Sequence, residues 1–468
     1  MNSSPFQALF VVRHHAEENR EAFPRAAEAI LDSTYMDDTM DSVESEEEGV
    51  EMYDQLSCLW KMAGMHARKW ISNNKGVLER IPLADRVMEI DLQKGELPEV
   101  KTLGVSWKAD PDLFTFHHSV NKSSEHCTKR TLLSSIALLF DPLGMLSPFT
   151  IRGKILLQEV WVTGVDWDDQ FPPSLRTKIE EWYAELKLVE RFSIPRCVRE
   201  DSEVETTSLH FFCDASEHAY AVVGYVVCTY ANGRSSSRQV ISKAKVSPLK
   251  TISIPRLELI GAVMSVKIAP VVAKAMEISP LEIHYWSDST NVLWWIHRRS
   301  RIFKTFVANR VSKIQQASSV SLWRHVPTDQ NPADLGTRGA NIETLAQNKL
   351  WRNGPEFLLD PSSWPVKDFS SDEHHARSEV KSNANLTYYS KTSVNAIDSG
   401  LDPTRYSSRT RLLRVAAWVF RFSNNCRCPN KLTGNLTVDE LADSENMLIR
   451  SAQMIDFADE FKELTFLQ

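Results

Sequence analysis

The stretch that decides the fold is Leu209-His210-Phe211-Phe212-Cys213-Asp214, an apolar run that ends in a carboxylate. Runs of this kind favour a β-strand, and two further strand-like runs follow at 219–230 and 239–246. The three runs together predict a three-strand meander. Its first strand ends in an acidic side chain, that of Asp214.

Three more acidic residues follow at the boundaries of predicted elements. Glu258 lies in the first turns of a helix whose apolar residues recur at three- and four-residue spacing, so its carboxylate is expected to project beside the buried stripe. Asp288 ends the strand-like run 283–288, and hydroxyl residues that can cap a helix follow it. Asp334 lies just after the last strand-like run, 321–327. Four carboxylates at such junctions can converge on one site.

The sequence around these acids resembles the ribonuclease H domain of BEL/Pao-type LTR retrotransposon Pol polyproteins. The phrases that carry the resemblance are Cys213-Asp214-Ala215-Ser216, Pro255-Arg256-Leu257-Glu258-Leu259, Trp286-Ser287-Asp288-Ser289 and Asn331-Pro332-Ala333-Asp334-Leu335-Gly336-Thr337-Arg338-Gly339. The predicted order β-β-β-α-β-α-β-α is also that of the ribonuclease H fold. The resemblance implies a mixed sheet with helices and a hydrolase, specifically a ribonuclease H-type endonuclease.

In that family the four acids bind two Mg²⁺ ions, which cut the RNA strand of an RNA–DNA hybrid. The resemblance therefore implies two Mg²⁺ ions as cofactor, with Mn²⁺ as a substitute, and the catalytic residues and metal ligands Asp214, Glu258, Asp288 and Asp334. Mg²⁺ prefers carboxylate oxygen and water, and two ions roughly 3.5–4 Å apart can stabilise both the attacking and the leaving oxygen. A helix cap or a solvated carboxylate is the commoner role of a single aspartate. Four acids in order, each within a family phrase, favour the catalytic interpretation.

Near the amino terminus, Thr34-Tyr35-Met36-Asp37-Asp38 resembles the YxDD signature of reverse transcriptases, in which paired aspartates at a tight hairpin bind metal. Two further segments, 69–73 and 102–107, resemble the family segments that follow, the second being the primer-gripping turn. The resemblance implies that Asp37 and Asp38 are metal ligands of a partial palm. The third aspartate of the polymerase site would precede the first residue of this chain, so polymerase activity is expected to be absent from the chain alone.

A basic segment lies between 298 and 324, where seven Lys or Arg residues occur without an acidic one. Such a segment favours contact with a phosphate backbone, although the net charge of the whole chain is −7. The alternative is a solvated helix face, because apolar residues of a helix expected from Arg301 to Gln316 supply a buried stripe. The residues expected to bind nucleic acid are Arg298, Arg301, Lys304, Lys313 and, from the last family phrase, Arg338.

At 468 residues the chain is long enough for about three domains. Its amino terminus lacks a signal peptide's basic and apolar regions, and no apolar run reaches the roughly 18 residues needed to span a bilayer. We therefore expect an intracellular protein, in a cytoplasmic particle or the nucleus, with no membrane partner. The seven cysteines are odd in number and scattered, which does not indicate a disulfide framework.

The patterns predict a multidomain protein of α/β and α+β class. The predicted segments are a partial reverse-transcriptase palm with the YMDD hairpin and primer-grip turn (1–109), a thumb and connection (110–204), a ribonuclease H-like domain (205–354), an extension and linker (355–408) and a helical segment (409–468). The last segment resembles the one that precedes the zinc-binding domain of retrotransposon integrase. Expected partners are therefore an RNA–DNA hybrid, the missing amino-terminal reverse-transcriptase portion and the downstream integrase of the polyprotein.

The leading interpretation is a retrotransposon Pol fragment whose Mg²⁺-dependent ribonuclease H domain hydrolyses the RNA strand of RNA–DNA hybrids, attached to an incomplete RNA-directed DNA polymerase. Two alternatives remain open from the sequence. One is a non-catalytic, nucleic-acid-binding remnant of a retroelement. The other is an aspartic peptidase, suggested by Asp398-Ser399-Gly400, although that triplet lies in a polar stretch rather than between apolar strands.

Overall fold

The computed structural model contains two compact units, Met1–Ser382 and Asn383–Gln468. The residues that the structure describes are 4–36, 38–87, 97, 99–102, 104–118, 127–200, 203–367, 376–381, 401, 405–427 and 431–457. Within these ranges, no helix has both the length and the apolarity that crossing a membrane requires.

The first unit begins with a small helical core. Its elements are α1 (Ser4–Glu18), α2 (Pro24–Asp32), the strands β1 (Thr34–Tyr35) and β2 (Asp38–Thr39), α3 (Glu46–Met62) and α4 (Lys75–Arg80). Helix α2 begins at Pro24, because the fixed φ of proline suits the first helical position. It buries Ala27 and Ile30 in one core with Leu56 of α3. The β1–β2 hairpin therefore follows directly from a packed helix.

A small antiparallel sheet follows, in the order β3-β4-β5-β6. Its strands are β3 (Glu99–Thr102), β4 (Val105–Lys108), β5 (Leu113–Thr115) and β6 (Ser193–Pro195). The fourth strand comes from much later in the chain, with Ile194 paired to Phe114. The sheet therefore crosses the predicted boundary at 109/110, and the structure differs from the predicted division there.

The central sheet has five strands in the order β11-β10-β7-β8-β9. They are β7 (Val204–Ala215), β8 (Ala219–Tyr230), β9 (Ser235–Val246), β10 (Ile283–Ser287) and β11 (Trp323–His325). Strands β7, β8 and β9 pair antiparallel, so the predicted meander is confirmed, whereas β10 pairs parallel with both β7 and β11. Because side chains alternate along a strand, Phe211 and Cys213 point to one face and Phe212 and Asp214 to the other.

Helices cover both faces of this sheet. They are α5 (Lys129–Leu138), α6 (Ser147–Thr163), α7 (Pro173–Leu186), α8 (Ile254–Ala275), α9 (Thr290–Ile296), α10 (Thr305–Ala317), α11 (Ala333–Arg338), α12 (Ile342–Gln347) and α13 (Lys349–Asn353). Helices α8, α9 and α10 share a core with Phe211, and α6, α7 and α13 share one with Phe212 on the opposite face. The predicted helix start at Arg301 is wrong, because Ser300–Ile302 forms a separate 3₁₀ turn and α10 begins at Thr305.

Helices α6 and α7 belong to the same packed body as the central sheet. Trp182 of α7 is fully buried and stacks on Phe149 of α6 with 5.2 Å between ring centroids. Trp351 of α13 donates from Nε1 to the Met145 carbonyl at 2.9 Å, and the Tyr225 hydroxyl of β8 donates to the Trp351 carbonyl at 2.8 Å. The first of these bonds joins residues from the two sides of the predicted boundary at 204/205. The structure therefore differs from that division, because the elements on its two sides share one core.

A tight turn at 141–144 ties these helices to the edge strand β9. The Asp141 carboxylate accepts two backbone N–H groups of the following turn, at 2.9 and 2.8 Å, and burial raises the pKa of Asp141 to about 6. Gly144 adopts a φ of +73°, and Ser242 of β9 donates its backbone N–H to the turn at 2.7 Å. The turn therefore occupies part of the edge that β9 would otherwise leave open.

Residues 376–381, which we call the strap, pack on the side of the domain formed by α8, α9 and α10. Trp295 donates from Nε1 to the Ala376 carbonyl at 3.0 Å, and Ala376 is fully buried. The Glu379 carboxylate accepts two bonds from Arg256, at 2.8 and 3.0 Å. The structure therefore differs from the predicted linker, which includes this packed segment.

The second unit is a helical hairpin of α14 (Arg409–Arg427) and α15 (Val438–Asp456). Arg421 of α14 is 6% exposed and donates to both carboxylate oxygens of Glu440, at 2.6 and 2.5 Å. It also donates to the carbonyls of Gly434 (2.7 Å) and Asn435 (2.9 Å) in the connection between the helices. One guanidinium therefore joins both helices and their connection, and the predicted helical segment is present.

We expect Gly144→Ala to destabilise the protein strongly. A Cβ atom at this position would lie 2.0 Å from the carbonyl oxygen of Ser242, and the φ of +73° strains any L-residue. The expected loss of unfolding free energy is more than about 2 kcal/mol, measured by denaturant unfolding of the full chain.

Gly164→Ala is the matched control for this substitution. Gly164 has nearly the same φ, +74°, but no atom within 4 Å of the added Cβ. The expected loss of unfolding free energy is only the cost of holding an L-residue in the left-handed backbone conformation, about 1 kcal/mol. An equal loss in the two variants would show that the contact of the turn with β9 does not matter.

Candidate active site

Asp214 and Asp288 lie side by side at one edge of the central sheet. Strands β7 and β10 run parallel, with Cys213 paired to Ser287 in register. Asp288 follows Ser287 directly, so it adjoins Asp214 near the ends of both strands. Parallel strands place ligand sites in the crevice beyond their carboxyl ends, so this edge is the natural position for a site.

Helices α8 and α11 bring the other two acids to this edge. Gly261 of α8 lies so near to β7 that an added Cβ atom would be 3.4 Å from the carbonyl oxygen of Asp214, and Glu258 precedes Gly261 by almost one turn. Gly336 of α11 lies even closer to β8, since an added Cβ atom would be 2.9 Å from Cβ of Ala221. Asp334 lies in the first turn of the same short helix. We call the four predicted residues the acid cluster: Asp214, Glu258, Asp288 and Asp334.

Burial and mutual repulsion raise the pKa values of three members of the acid cluster, Asp214, Glu258 and Asp288. Burial, followed by the charge of Asp288, raises the pKa of Asp214 to about 6, and Asp214 is only 6% exposed. Burial also raises the pKa of Glu258 to about 7, and the charges of Asp288 and Asp214 add to it. Burial raises the pKa of Asp288 too, with the charge of Asp334 contributing. The charges of Asp288 and Asp334 act on Asp214, and those of Asp288 and Asp214 act on Glu258, so the four carboxyl groups are near enough to interact and their repulsion favours the binding of a cation.

Two neutral side chains hold the buried aspartates. Neither is among the predicted site residues. Thr337 of α11 donates from Oγ1 to Oδ2 of Asp214 at 2.7 Å. Asn331 donates from Nδ2 to Oδ1 of Asp288 at 3.2 Å. Thr337 could have been predicted as a site residue from its spacing, because it lies three residues from Asp334 and therefore on the same side of a helix.

Arg338 also contacts the acid cluster. Its Nε donates to Oδ1 of Asp334 at 2.6 Å, and the two side chains are 70% and 32% exposed. The sequence predicts a nucleic-acid contact for Arg338. In the structure its guanidinium is bonded to one of the predicted metal ligands.

The donor set of the acid cluster fits a hard divalent cation in its chemistry. Carboxylate oxygens are the ligands that Mg²⁺ prefers, and the cluster supplies four carboxylates. Across the part of the chain that the structure describes, no three His, Cys, Asp or Glu side chains are grouped as a metal site requires. Within the cluster, Asp214, Asp288 and Asp334 are each bonded to a protein donor instead. Each of these bonds occupies one carboxylate oxygen, which leaves the second oxygen of the same group as a ligand for a cation.

Four of the residues expected to bind nucleic acid are exposed on or near α10. They are Arg298, Arg301, Lys304 and Lys313. Phe303, Val307 and Ile314 are buried beneath them, and the Arg310 guanidinium lies 3.5 Å from the ring centroid of Phe306. A groove of about 360 Å³ adjoins them, lined by Arg299, Ser300, Arg301 and Gln315. The exposed cations are therefore accessible to a phosphate backbone.

The predicted polymerase metal pair is described only in part. Asp38 pairs with Tyr35 in the β1–β2 hairpin and is exposed, while Asp37 lies outside the described residues. The triplet 398–400, on which the aspartic-peptidase alternative is based, also lies outside them. Both interpretations therefore stay predictions.

One long stretch of the chain matches a known family. Residues 128–289 match the family model described as Pao retrotransposon-like RNaseH-like domain. For residues 128–289, this match agrees with the predicted resemblance to Pao-type retrotransposon sequences. The Pao-like segment includes α5, α6 and α7 as well as the central meander, in agreement with their shared core, and it contains three of the four residues of the acid cluster.

Two solved structures are similar to parts of the chain. The N-terminal RNase H domain of Rv2228c from Mycobacterium tuberculosis, as a fusion protein with maltose-binding protein, is 14% identical with a TM-score of 0.21, covering 30% of this chain and 98% of that chain. The foamy viral protease-reverse transcriptase in complex with dsDNA is 15% identical with a TM-score of 0.18, covering 67% of this chain and 59% of that chain. No curated protein sequence matches the chain.

The raised pKa of Glu258 predicts that Glu258→Gln stabilises the metal-free protein above neutral pH. Folding raises this pKa from an ordinary value of 4.5 to about 7, so the folded state binds the proton more tightly and loses stability as pH rises through that range. Removing the charge is therefore expected to add up to about 3 kcal/mol of unfolding free energy above pH 7. The gain is expected to vanish below pH 4.5, where both states are protonated.

The measurement is denaturant unfolding of the wild type and Glu258→Gln with a chelator at several pH values. Burial lowers the pKa of His284 to about 4, which gives both proteins a dependence of stability on pH with the opposite sign. The contribution of His284 cancels in the difference between the two profiles, which therefore reports on Glu258. Asp168→Asn is the control. A hydrogen bond from Arg130 lowers the pKa of Asp168, so this variant is expected to lose stability at neutral pH. Parallel profiles for the wild type and Glu258→Gln would contradict the prediction.

Proposed function

We propose that this chain is part of a Pol polyprotein whose ribonuclease H-like domain hydrolyses the RNA strand of RNA–DNA hybrids. The acid cluster carries the proposal, because it gathers four carboxylates from four separate elements and raises the pKa of three of them. Carboxylates that serve only as helix caps have no reason to be buried together, since burial of charge is costly. The Pao family match supports the class of domain.

The proposed catalytic residues and ligands of two Mg²⁺ ions, for which Mn²⁺ would substitute, are Asp214, Glu258, Asp288 and Asp334. Bound there, the two ions would supply charge stabilisation to the attacking and leaving oxygens of a phosphodiester. Thr337 and Asn331 would keep their aspartates in one orientation through the bonds described above. Hydrogen bonds to a metal ligand from residues that do not themselves touch the metal typically contribute about tenfold to a hundredfold to metal affinity or activity.

The proposed hybrid-binding residues are the exposed cations Arg298, Arg301, Lys304 and Lys313. A hybrid carries phosphates on both strands, and Lys or Arg contacts release the counterions condensed on them. The apolar side chains of α10 are turned into the core, which leaves charged groups for the substrate. This arrangement favours contact with the backbone, independent of base sequence.

The Pao family match also supports a Pol polyprotein context. We propose the amino-terminal reverse-transcriptase portion and the downstream integrase as partners, in a cytoplasmic particle or the nucleus. The helical hairpin of the second unit would then lead into the zinc-binding domain of the integrase.

Asp214→Asn and Asp288→Asn are each expected to lower the rate of hybrid cleavage on the order of 10³-fold or more, because each removes a charged group from the acid cluster. The assay uses the full chain, a hybrid labelled on its RNA strand, and either Mg²⁺ or a chelator. Asp168→Asn is the control, because that exposed carboxylate pairs with Arg130 away from the cluster. Hybrid binding by the wild type without cleavage would contradict the proposal and favour a non-catalytic, nucleic-acid-binding remnant.

Lys304→Ala combined with Lys313→Ala is expected to weaken hybrid binding and to flatten its dependence on salt. Each lost phosphate contact lowers the magnitude of the log–log salt slope by about one, so the double variant should lose about two. Lys178→Ala is the control, because Lys178 lies on α7, across the sheet, and pairs with Glu159. An unchanged slope in the double variant would show that these lysines form only a solvated helix face.

A further inference from the structure

Arg338 brings a cation to the acid cluster from within the chain. Its Nε donates to Oδ1 of Asp334 at 2.6 Å across one turn of α11. The charges of Asp214 and Asp288 also act on Arg338 and, like that of Asp334, favour its protonated form. The guanidinium therefore offsets part of the negative charge that the cluster concentrates.

Helix α11 supplies a hydrogen-bond donor to each of two aspartates, and the two donors differ in kind. Thr337 is fully buried and donates to Asp214 at 2.7 Å, whereas the Arg338 side chain is 70% exposed. Breaking a buried hydrogen bond leaves polar groups unpaired, which is costly. An exposed ion pair between residues four apart contributes little to stability. Of the two donors, Arg338 is the one that can leave its aspartate at small cost.

We propose that Arg338 is a tethered counter-cation that competes with divalent metal for the Asp334 carboxylate and so lowers the affinity of the acid cluster for metal. The proposal rests on the proposed function, because it takes Asp334 as a metal ligand. A divalent ion at Asp334 either displaces the guanidinium from Oδ1 or binds next to its positive charge. In both cases Arg338 weakens metal binding.

The present arrangement of the acid cluster agrees with this competition. Among the described residues, no three candidate ligands are grouped as a metal site, and Asp334 is turned to Arg338. Part of the charge repulsion in the cluster is therefore relieved without metal. On this proposal, a higher metal concentration is needed to fill the site than without Arg338.

The experiment is a calorimetric titration of the full chain with Mg²⁺, without nucleic acid. Arg338→Gln is expected to bind Mg²⁺ roughly three- to tenfold more tightly than the wild type. Arg338→Lys, which keeps the charge but loses the planar fork of donors, is expected to fall between them. Thermal unfolding in a chelator checks that each variant is folded.

Arg176→Gln is the matched control for the loss of a cation. Arg176 forms the same kind of exposed pair, four residues from Glu180, on α7. Its substitution is expected to leave Mg²⁺ affinity unchanged. In an Asp334→Asn background, Arg338→Gln is expected to change Mg²⁺ affinity much less, because the residue for which the two cations compete is gone.

Each outcome of the titration decides the proposal. Equal or weaker Mg²⁺ binding by Arg338→Gln would overturn it, as would an equal gain in Arg176→Gln. A lack of Mg²⁺ binding by both the wild type and Arg338→Gln would overturn it together with the proposed metal dependence. Tighter Mg²⁺ binding by Arg338→Gln in a chain that does not cleave hybrids would support the competition while refuting the proposed function.

Discussion

The parallel pairing of β7 with β10 is the constraint on which the candidate site depends, because it sets Asp214 beside Asp288. Carboxylates gathered at a largely buried edge repel one another, and burial adds to their cost. Helices α8 and α11 nevertheless close over this edge, and α11 supplies donors from Thr337 and Arg338. The cores on both faces of the sheet thus stabilise an arrangement that the acids themselves oppose. Perturbed carboxylates held in this way are typical of functional sites.

One face of the central sheet is closed by helices that precede it in the sequence. Phe212 packs in one core with Trp182 of α7 and Trp351 of α13. Without α6 and α7 this face would expose a contiguous aromatic surface to water, which stable monomeric domains avoid. The Pao-like segment starts at 128, in agreement with this packing. A ribonuclease H-like fragment that starts at 204 would therefore lack α6 and α7 and keep only part of the layer that covers this face.

The sequence predicts those parts of the molecule that depend on local pattern. The run at 209–214 predicts both a strand and its acidic end, and the apolar spacing around Glu258 predicts α8. The bonds of Thr337 and Asn331 to the aspartates span 123 and 43 residues, so no local pattern encodes them. The strap has the composition of a linker, and its docking depends on Arg256, which lies 123 residues from Glu379. The positions of the acids were thus predictable, whereas the partners that orient them were not.

The strap limits where the chain can be cut without damage to this domain. A cut before residue 376 that released the strap would remove Glu379 from Arg256, which then keeps its charge without that partner. Arg256 lies two residues before Glu258 in the first turns of α8, so the loss would reach the helix end that carries an acid of the cluster. A cut after Lys381 retains these bonds. The carboxyl end of a stable fragment that contains this domain therefore belongs beyond the strap rather than at the end of α13.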